Sequence, residues 1–185
     1  MLLNIGFLDD ATRPTVPPIP DMRPDQREAG EHLREVHDHL RDNMRAIREL
    51  IDRARDGLVS AADVARETGD LTTVTNFRRF GNLCGQHCQI VNTHHSIEDA
   101  HVFPTIAAIN EGYRLVADRL QAEHVVVHEL LERQIAALNL MVTQPSPEHF
   151  AEAVEIFEAL ERVLASHLGY EEAQIGDALG YYGLF

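Results

Sequence analysis

Four long stretches of the chain carry apolar residues at intervals of three and four, the spacing that places side chains on one face of an α-helix. In chain order they run from about Gln26 to Arg55, from about Thr75 to Phe103, and from about Gly112 to Leu140, and the fourth follows Pro147 and continues to about Leu179. Pro104 ends the second stretch and Gly180 ends the fourth. The alternating pattern of strands is nearly absent. The sequence therefore predicts an all-α fold.

The connections after the second and third stretches are short, which favours antiparallel neighbours. We therefore expect an antiparallel up-down-up-down four-helix bundle formed by residues 25–185, with one short extra helix between Gly57 and Leu71. Residues 1–24 contain five of the eight prolines and are expected to form an extended arm. A chain of 185 residues is the right size for one such domain.

The charge and composition argue against a nucleic-acid or membrane partner and favour a cytoplasmic location. The net charge of −14 argues against nucleic-acid binding, which needs clustered cations. No stretch is long and apolar enough to predict a membrane span, and the first residues lack the basic start of a signal peptide. Cys84 and Cys88 lie one helical turn apart on one helix, where a disulfide fits poorly, so a reducing cytoplasm is expected. They are most simply packing residues, with redox sensing as the alternative.

Each predicted helix also places histidine or acidic residues on its inward face. In the first, His37 shares the stripe of Leu33 and Leu40, with His39 to its side as the alternative. The other three helices carry pairs four residues apart, which project from one face: His94 with Glu98, His124 with His128, and His167 with Glu171. The neighbouring His95, Asp99 and His101 are expected on a solvated face.

Five histidines and two carboxylates form a ligand set suited to two metal ions. Imidazole suits iron, and a carboxylate bridges two ions with its two oxygens. Two six-coordinate irons that share an oxo or hydroxo bridge would use all of these ligands and keep one open position. Burying these groups without a metal would be costly. A ferritin-like site would need inward Glu-x-x-His pairs, and none is found.

These motifs resemble hemerythrin and the wider hemerythrin-like HHE cation-binding family. The matching phrases are His37, the HxxxE of His94 and Glu98 followed by VFP, the HxxxH of His124 and His128, and the HxxxEE of His167. The resemblance covers about residues 30–175 and implies a di-iron centre that binds dioxygen reversibly, with sensing, iron handling and peroxide or nitric-oxide chemistry among relatives. The oldest family members place the last acid five residues after the histidine, as Glu172 would be. Glu171 is preferred by analogy with Glu98.

Two further residues bear on function. Leu164, one turn before His167, stands where such bundles place an apolar wall over the open iron position. His87, seven residues before His94, is a candidate extra ligand, a partner of a ligand, or a proton donor. We expect a cytoplasmic di-iron protein that binds dioxygen or a related small oxidant. The alternatives are an oxidoreductase that turns over peroxide, nitric oxide or a small organic substrate, and an iron-responsive module whose folding depends on metal.

Overall fold

The computed structural model describes residues 4–64 and 71–184, without the side chains of residues 29 and 57–80. All regular structure in these ranges is helical. The α-helices are α1 (Pro24–Val64), α2 (Leu71–Ile97), α3 (Phe103–Ala107), α4 (Glu111–Thr143) and α5 (Pro147–Tyr181). A helical fold with four long helices agrees with the prediction. The extra helix expected between Gly57 and Leu71 does not appear at 57–64, which continue α1, and residues 65–70 lie outside the described part.

Two helix starts follow directly from the sequence. Asn110 caps α4, where its side chain accepts a hydrogen bond from the Tyr113 amide. Ser146 caps α5 in the same way, and Pro147 occupies the first turn, where its missing N–H costs nothing. These caps position the helices that carry His124 and His167.

The second predicted helix differs from the structure at its end. Helix α2 passes at Ile97 into a π-helical turn, Glu98–Val102, and then into α3. Pro104 does not end the helical run, because it lies in the first turn of α3, where proline is tolerated. The wider π turn carries Glu98 and Asp99, and such turns are frequent at functional sites.

Each long helix packs against two others: α1 against α2 and α5, and α4 against α2 and α5. Among the residues whose side chains are described, the buried apolar ones form two clusters. The larger includes Leu40, Val127 and Leu168, and the smaller includes Leu33, Leu120 and Ile175. On three of the helices, polar residues lie between members of the two clusters: His37 on α1, His124 on α4, and His167 with Glu171 on α5. The inward histidines and acids therefore form a polar layer between two apolar regions.

Apart from the short 3₁₀ helix Asp10–Thr12, residues 4–23 are not helical. This segment runs along the helices rather than away from them. The Tyr170 hydroxyl donates to the Pro14 carbonyl at 2.7 Å, and the Val16 amide donates to the Gln174 side-chain oxygen at 2.9 Å. Ile5 and Met22 are buried. In the described ranges, none of the helices combines the length and apolar character needed to cross a lipid bilayer.

Candidate metal centre

The polar layer brings seven side chains into two compact groups. In each group, one nitrogen or oxygen atom per residue lies within 4.8 Å of the corresponding atoms of the others. The first group contains His37, His94, Glu98 and Glu171, and the second contains His95, His124 and His167. All but His94 are at most 3% exposed. Both groups have the composition of a site for a transition metal.

The two carboxylates connect the groups. Glu98 Oε1 lies 3.1 Å from His94 Nε2, and its Oε2 lies 3.6 Å from His124 Nε2. Glu171 Oε2 lies 3.6 Å from both His37 Nε2 and His167 Nε2. Each carboxylate thus approaches one imidazole of each group, as a bridge between two ions requires.

Several atoms of this layer are buried without a hydrogen-bond partner. They are both oxygens of Glu171, Oε2 of Glu98 and both ring nitrogens of His95. Burial, followed by the neighbouring Glu171, raises the pKa of Glu98 well above its usual range, so this carboxyl does not ionise easily. Unpaired buried acids and imidazoles carry a large desolvation cost. A cation between them would offset that cost.

Three of the histidines are oriented by carboxylates behind them. His37 Nδ1 lies 2.8 Å from Glu172, His124 Nδ1 lies 2.9 Å from Asp99, and His167 Nδ1 lies 3.1 Å from Glu123. Because an ionised carboxylate only accepts, each Nδ1 must carry the hydrogen. The lone pair is then on Nε2, which faces the site, the usual arrangement of metal-binding histidines.

His124 Nε2 and His167 Nε2 lie only 3.0 Å apart. When each ring is neutral with its hydrogen on Nδ1, two lone pairs face each other and no hydrogen bond joins them. A separation near 3 Å is about that of two neighbouring ligands at right angles, each about 2.1 Å from one ion. Burial is the main cause that lowers the pKa of His124 to about 2, so this ring is neutral at neutral pH. The pair fits a metal ion.

Arginines hold two of the three orienting carboxylates. Burial alone would raise the pKa of Glu123, but hydrogen bonds from His167, Arg13 and Arg119 outweigh it and lower the pKa to about 2. Arg13 donates to both oxygens of Glu123, at 2.8 and 2.9 Å. Arg41 donates to Glu172 at 2.7 Å. Since Arg13 comes from the N-terminal segment, that segment helps to fix the orientation of His167.

Six of the seven residues predicted as metal ligands meet in the two groups, and His128 does not. The His128 ring centroid lies 5.3 Å from that of His95, and its Nε2 has no partner. The alternative His39 is exposed, whereas His37 is fully buried. Glu172 stands behind His37 and is not a member of either group.

The prediction that His95 faces solvent is wrong. Its side chain is 0% exposed, and its ring stacks on that of His124 with centroids 3.7 Å apart. The sequence held a signal, because Cys84, Cys88 and Val91 precede it at helical spacing and are all buried. Asp99 was also assigned to a solvated face, but it is half-buried and contacts His124. Glu123 had no distinguishing signal, since an acid four residues after Arg119 is common on helix surfaces.

Two other predicted residues lie in the core outside the groups. Leu164 is fully buried in the larger apolar cluster, one turn before His167. His87 is 1% exposed, and neither of its ring nitrogens has a hydrogen-bond partner. Burial lowers the pKa of His87 to about 4, so its ring is neutral at neutral pH.

Comparison with known proteins agrees with this geometry. The model of the hemerythrin HHE cation-binding domain matches residues 29–179, which include every member of the two groups. No curated protein and no solved structure gives a significant match. The chain belongs to the hemerythrin family of HHE cation-binding domains.

Proposed function

We propose that this protein is a cytoplasmic non-haem di-iron protein that binds dioxygen or a related small oxidant within its helical bundle. The observation that carries the proposal is the pair of ligand groups connected by Glu98 and Glu171. The proposal includes an antiparallel up-down-up-down order of the four long helices and an extended N-terminal arm. Antiparallel directions of α1 and α5 are consistent with the approach of Gly30 near the start of α1 to Gly176 near the end of α5. The arm is consistent with residues 4–23, which are not helical apart from Asp10–Thr12.

The donor set fits two iron ions. His37 and His94 would hold the first ion, His124 and His167 the second, and Glu98 and Glu171 would bridge them. His95, which lies in the same group as His124 and His167, or the predicted ligand His128 would be a further ligand of the second ion. Such a pair supplies two electrons and one open coordination position to a small oxidant. Imidazole-rich sites favour ferrous iron, which suits reversible binding better than attack on C–H bonds.

The protein's own residues would supply orientation and exclude water. Asp99, Glu123 and Glu172 keep the hydrogen on Nδ1 of their histidines and so direct Nε2 inward. The apolar clusters on either side keep bulk water from the layer. Leu164 would form the wall of the oxygen pocket, since it is buried one turn from His167.

The test is to count iron and follow its absorption. Purified protein is loaded with ferrous iron without oxygen, the iron per chain is measured, and the absorption is recorded during cycles of oxygenation and deoxygenation. We expect about two irons per chain and a charge-transfer band that appears and disappears reversibly. The matched pair His37→Ala and His39→Ala serves as control, and only the first should lose iron. Fewer than one iron in a folded wild-type protein would refute the proposal.

An oxidoreductase that turns over peroxide, nitric oxide or a small organic substrate is the second candidate, and His87 is the observation that favours it. This buried imidazole lies two helical turns before His94 in α2, and its ring nitrogens have no partner that would prevent them from exchanging a proton. Peroxide added to the iron-loaded protein separates the two functions, because only the enzyme consumes it rapidly. A His87→Leu variant that keeps both irons should then lose turnover while still binding dioxygen.

A further inference from the structure

A cavity of about 270 Å³ lies between the N-terminal segment and helices α4 and α5. Its apolar lining comes from Phe7 and Leu8 on the segment, Val126 on α4 and Val163 on α5. Its polar lining includes Arg13 and Glu123, which orient His167, but the cavity is separate from both ligand groups. Its volume is close to the lower end of the range for small-molecule sites.

The apolar side of the cavity is incompletely covered. Phe7 is 44% exposed and Leu8 is 39% exposed, although both belong to a segment that packs on the helices. Two adjacent large apolar side chains in a concave wall offer contact area to a ligand with an apolar body. The other side, Val126 and Val163, is largely buried and provides a firm surface.

Four charged side chains line the cavity, and three of them are paired with an opposite charge. Asp10 accepts a hydrogen bond from Ser166 and lies 3.3 Å from Arg13. Glu123 is neutralised by Arg13 and Arg119. Within the described part of the chain, Arg162 has no hydrogen bond or ion pair, and its guanidinium remains available at the cavity. A guanidinium binds a carboxylate through two parallel hydrogen bonds.

We propose that this cavity binds a small organic carboxylate with an apolar body about the size of benzoate. The carboxylate pairs with Arg162, and the apolar body lies against Phe7, Leu8 and the two valines. The bound molecule also contacts the side chain of Glu123. The same carboxylate is hydrogen-bonded to His167, so a single residue connects the cavity to the ligand group. Binding depends on the N-terminal segment and not on the metal, so the proposal stands apart from the proposed function.

The test is a titration of the metal-free full chain with benzoate, followed by heteronuclear NMR, with benzamide as the uncharged analogue. We expect saturable binding of benzoate with shifts centred on the residues of the cavity, and at least tenfold weaker binding of benzamide. Arg162→Gln should weaken benzoate at least tenfold, whereas Arg27→Gln, on the exposed face of α1, should change it less than twofold. Phe7→Ala should weaken both probes.

Three results would overturn the proposal: no saturable binding to the wild type, equal affinity for benzoate and benzamide, or equal affinity in the two arginine variants. Circular dichroism of each variant checks that the bundle is intact. Because the Arg162 and Phe7 side chains are substantially exposed, neither substitution removes core packing. Loss of binding then reports on the cavity rather than on folding.

Discussion

Glu171 and Glu172 are adjacent acids in α5 with different surroundings. Glu171 is fully buried and approaches histidines of both ligand groups, whereas Glu172 accepts hydrogen bonds from His37 and Arg41. We therefore expect Glu171→Gln to reduce iron to one ion per chain or fewer. Glu172→Gln should keep two ions but weaken affinity about 10- to 100-fold, as loss of a partner behind a ligand usually does. Equilibrium iron titration measures both, and the reverse order would assign the bridge to Glu172.

His87 gives the metal-free protein a specific dependence on pH. Its pKa is about 4 in the folded chain against an ordinary value of 6.5, because burial disfavours the charged ring. As pH falls from 6.5 to 4, the unfolded chain binds a proton at His87 that the folded chain does not bind. The free energy of unfolding therefore decreases by roughly 3 kcal/mol. Below pH 4 this contribution changes no further.

The variant His87→Leu removes that titration. At pH 7 it should be at least as stable as the wild type, because an unpartnered buried imidazole is replaced by an apolar side chain. Its advantage should then grow by roughly 3 kcal/mol between pH 6.5 and 4. Urea unfolding at several pH values measures the difference, and a constant difference would show that His87 has a partner in solution.

At the scale of the helices, Gly30 of α1 allows a close approach to α5. A Cβ at Gly30 would lie 2.7 Å from the carbonyl oxygen of Gly176, nearer than packed atoms allow. The backbones must separate to admit it, and we expect Gly30→Ala to cost about 1 to 3 kcal/mol. Gly169 is the control, because a Cβ there meets nothing within 4 Å. Gly169→Ala should stabilise α5 by about 0.5 to 1 kcal/mol. Chemical denaturation compares them, and equal effects would mean that α1 and α5 are farther apart.

The helices also show where prediction from sequence succeeds and where it fails. The starts of α4 and α5 depend on local signals, Asn110 and Ser146, and were predicted within a few residues. The end of α2 was not predicted, because a π turn depends on contacts with the surrounding helices and no local sequence motif specifies it. His37 was identified from a single stripe, whereas His95 was missed because the inward arc of α2 is wide enough to include two successive residues. Glu123 and Asp99 act through histidines of other helices, which spacing along one helix does not reveal.

For the whole molecule, the polar layer makes stability depend on metal. The layer separates the two apolar clusters and buries acids and imidazoles that a cation would pair. A ligand present at a thousand times its dissociation constant stabilises a protein by about 4 kcal/mol. For a chain of this size that corresponds to a rise in melting temperature of roughly 8 to 16 °C. Ferrous iron added without oxygen should produce this rise, and Glu171→Gln should abolish most of it.

Although metal should stabilise the fold, the chain should remain helical without it. Each apolar cluster includes residues from at least three helices, and the arginine pairs of Glu123 and Glu172 do not involve the metal. We therefore expect chelation to lower the melting temperature while the far-ultraviolet circular dichroism at 25 °C stays unchanged. If chelation instead removes the helical signal, the metal acts as the nucleus of the fold, which is the behaviour of an iron-responsive folding module rather than of a protein that binds oxidants at a preformed centre.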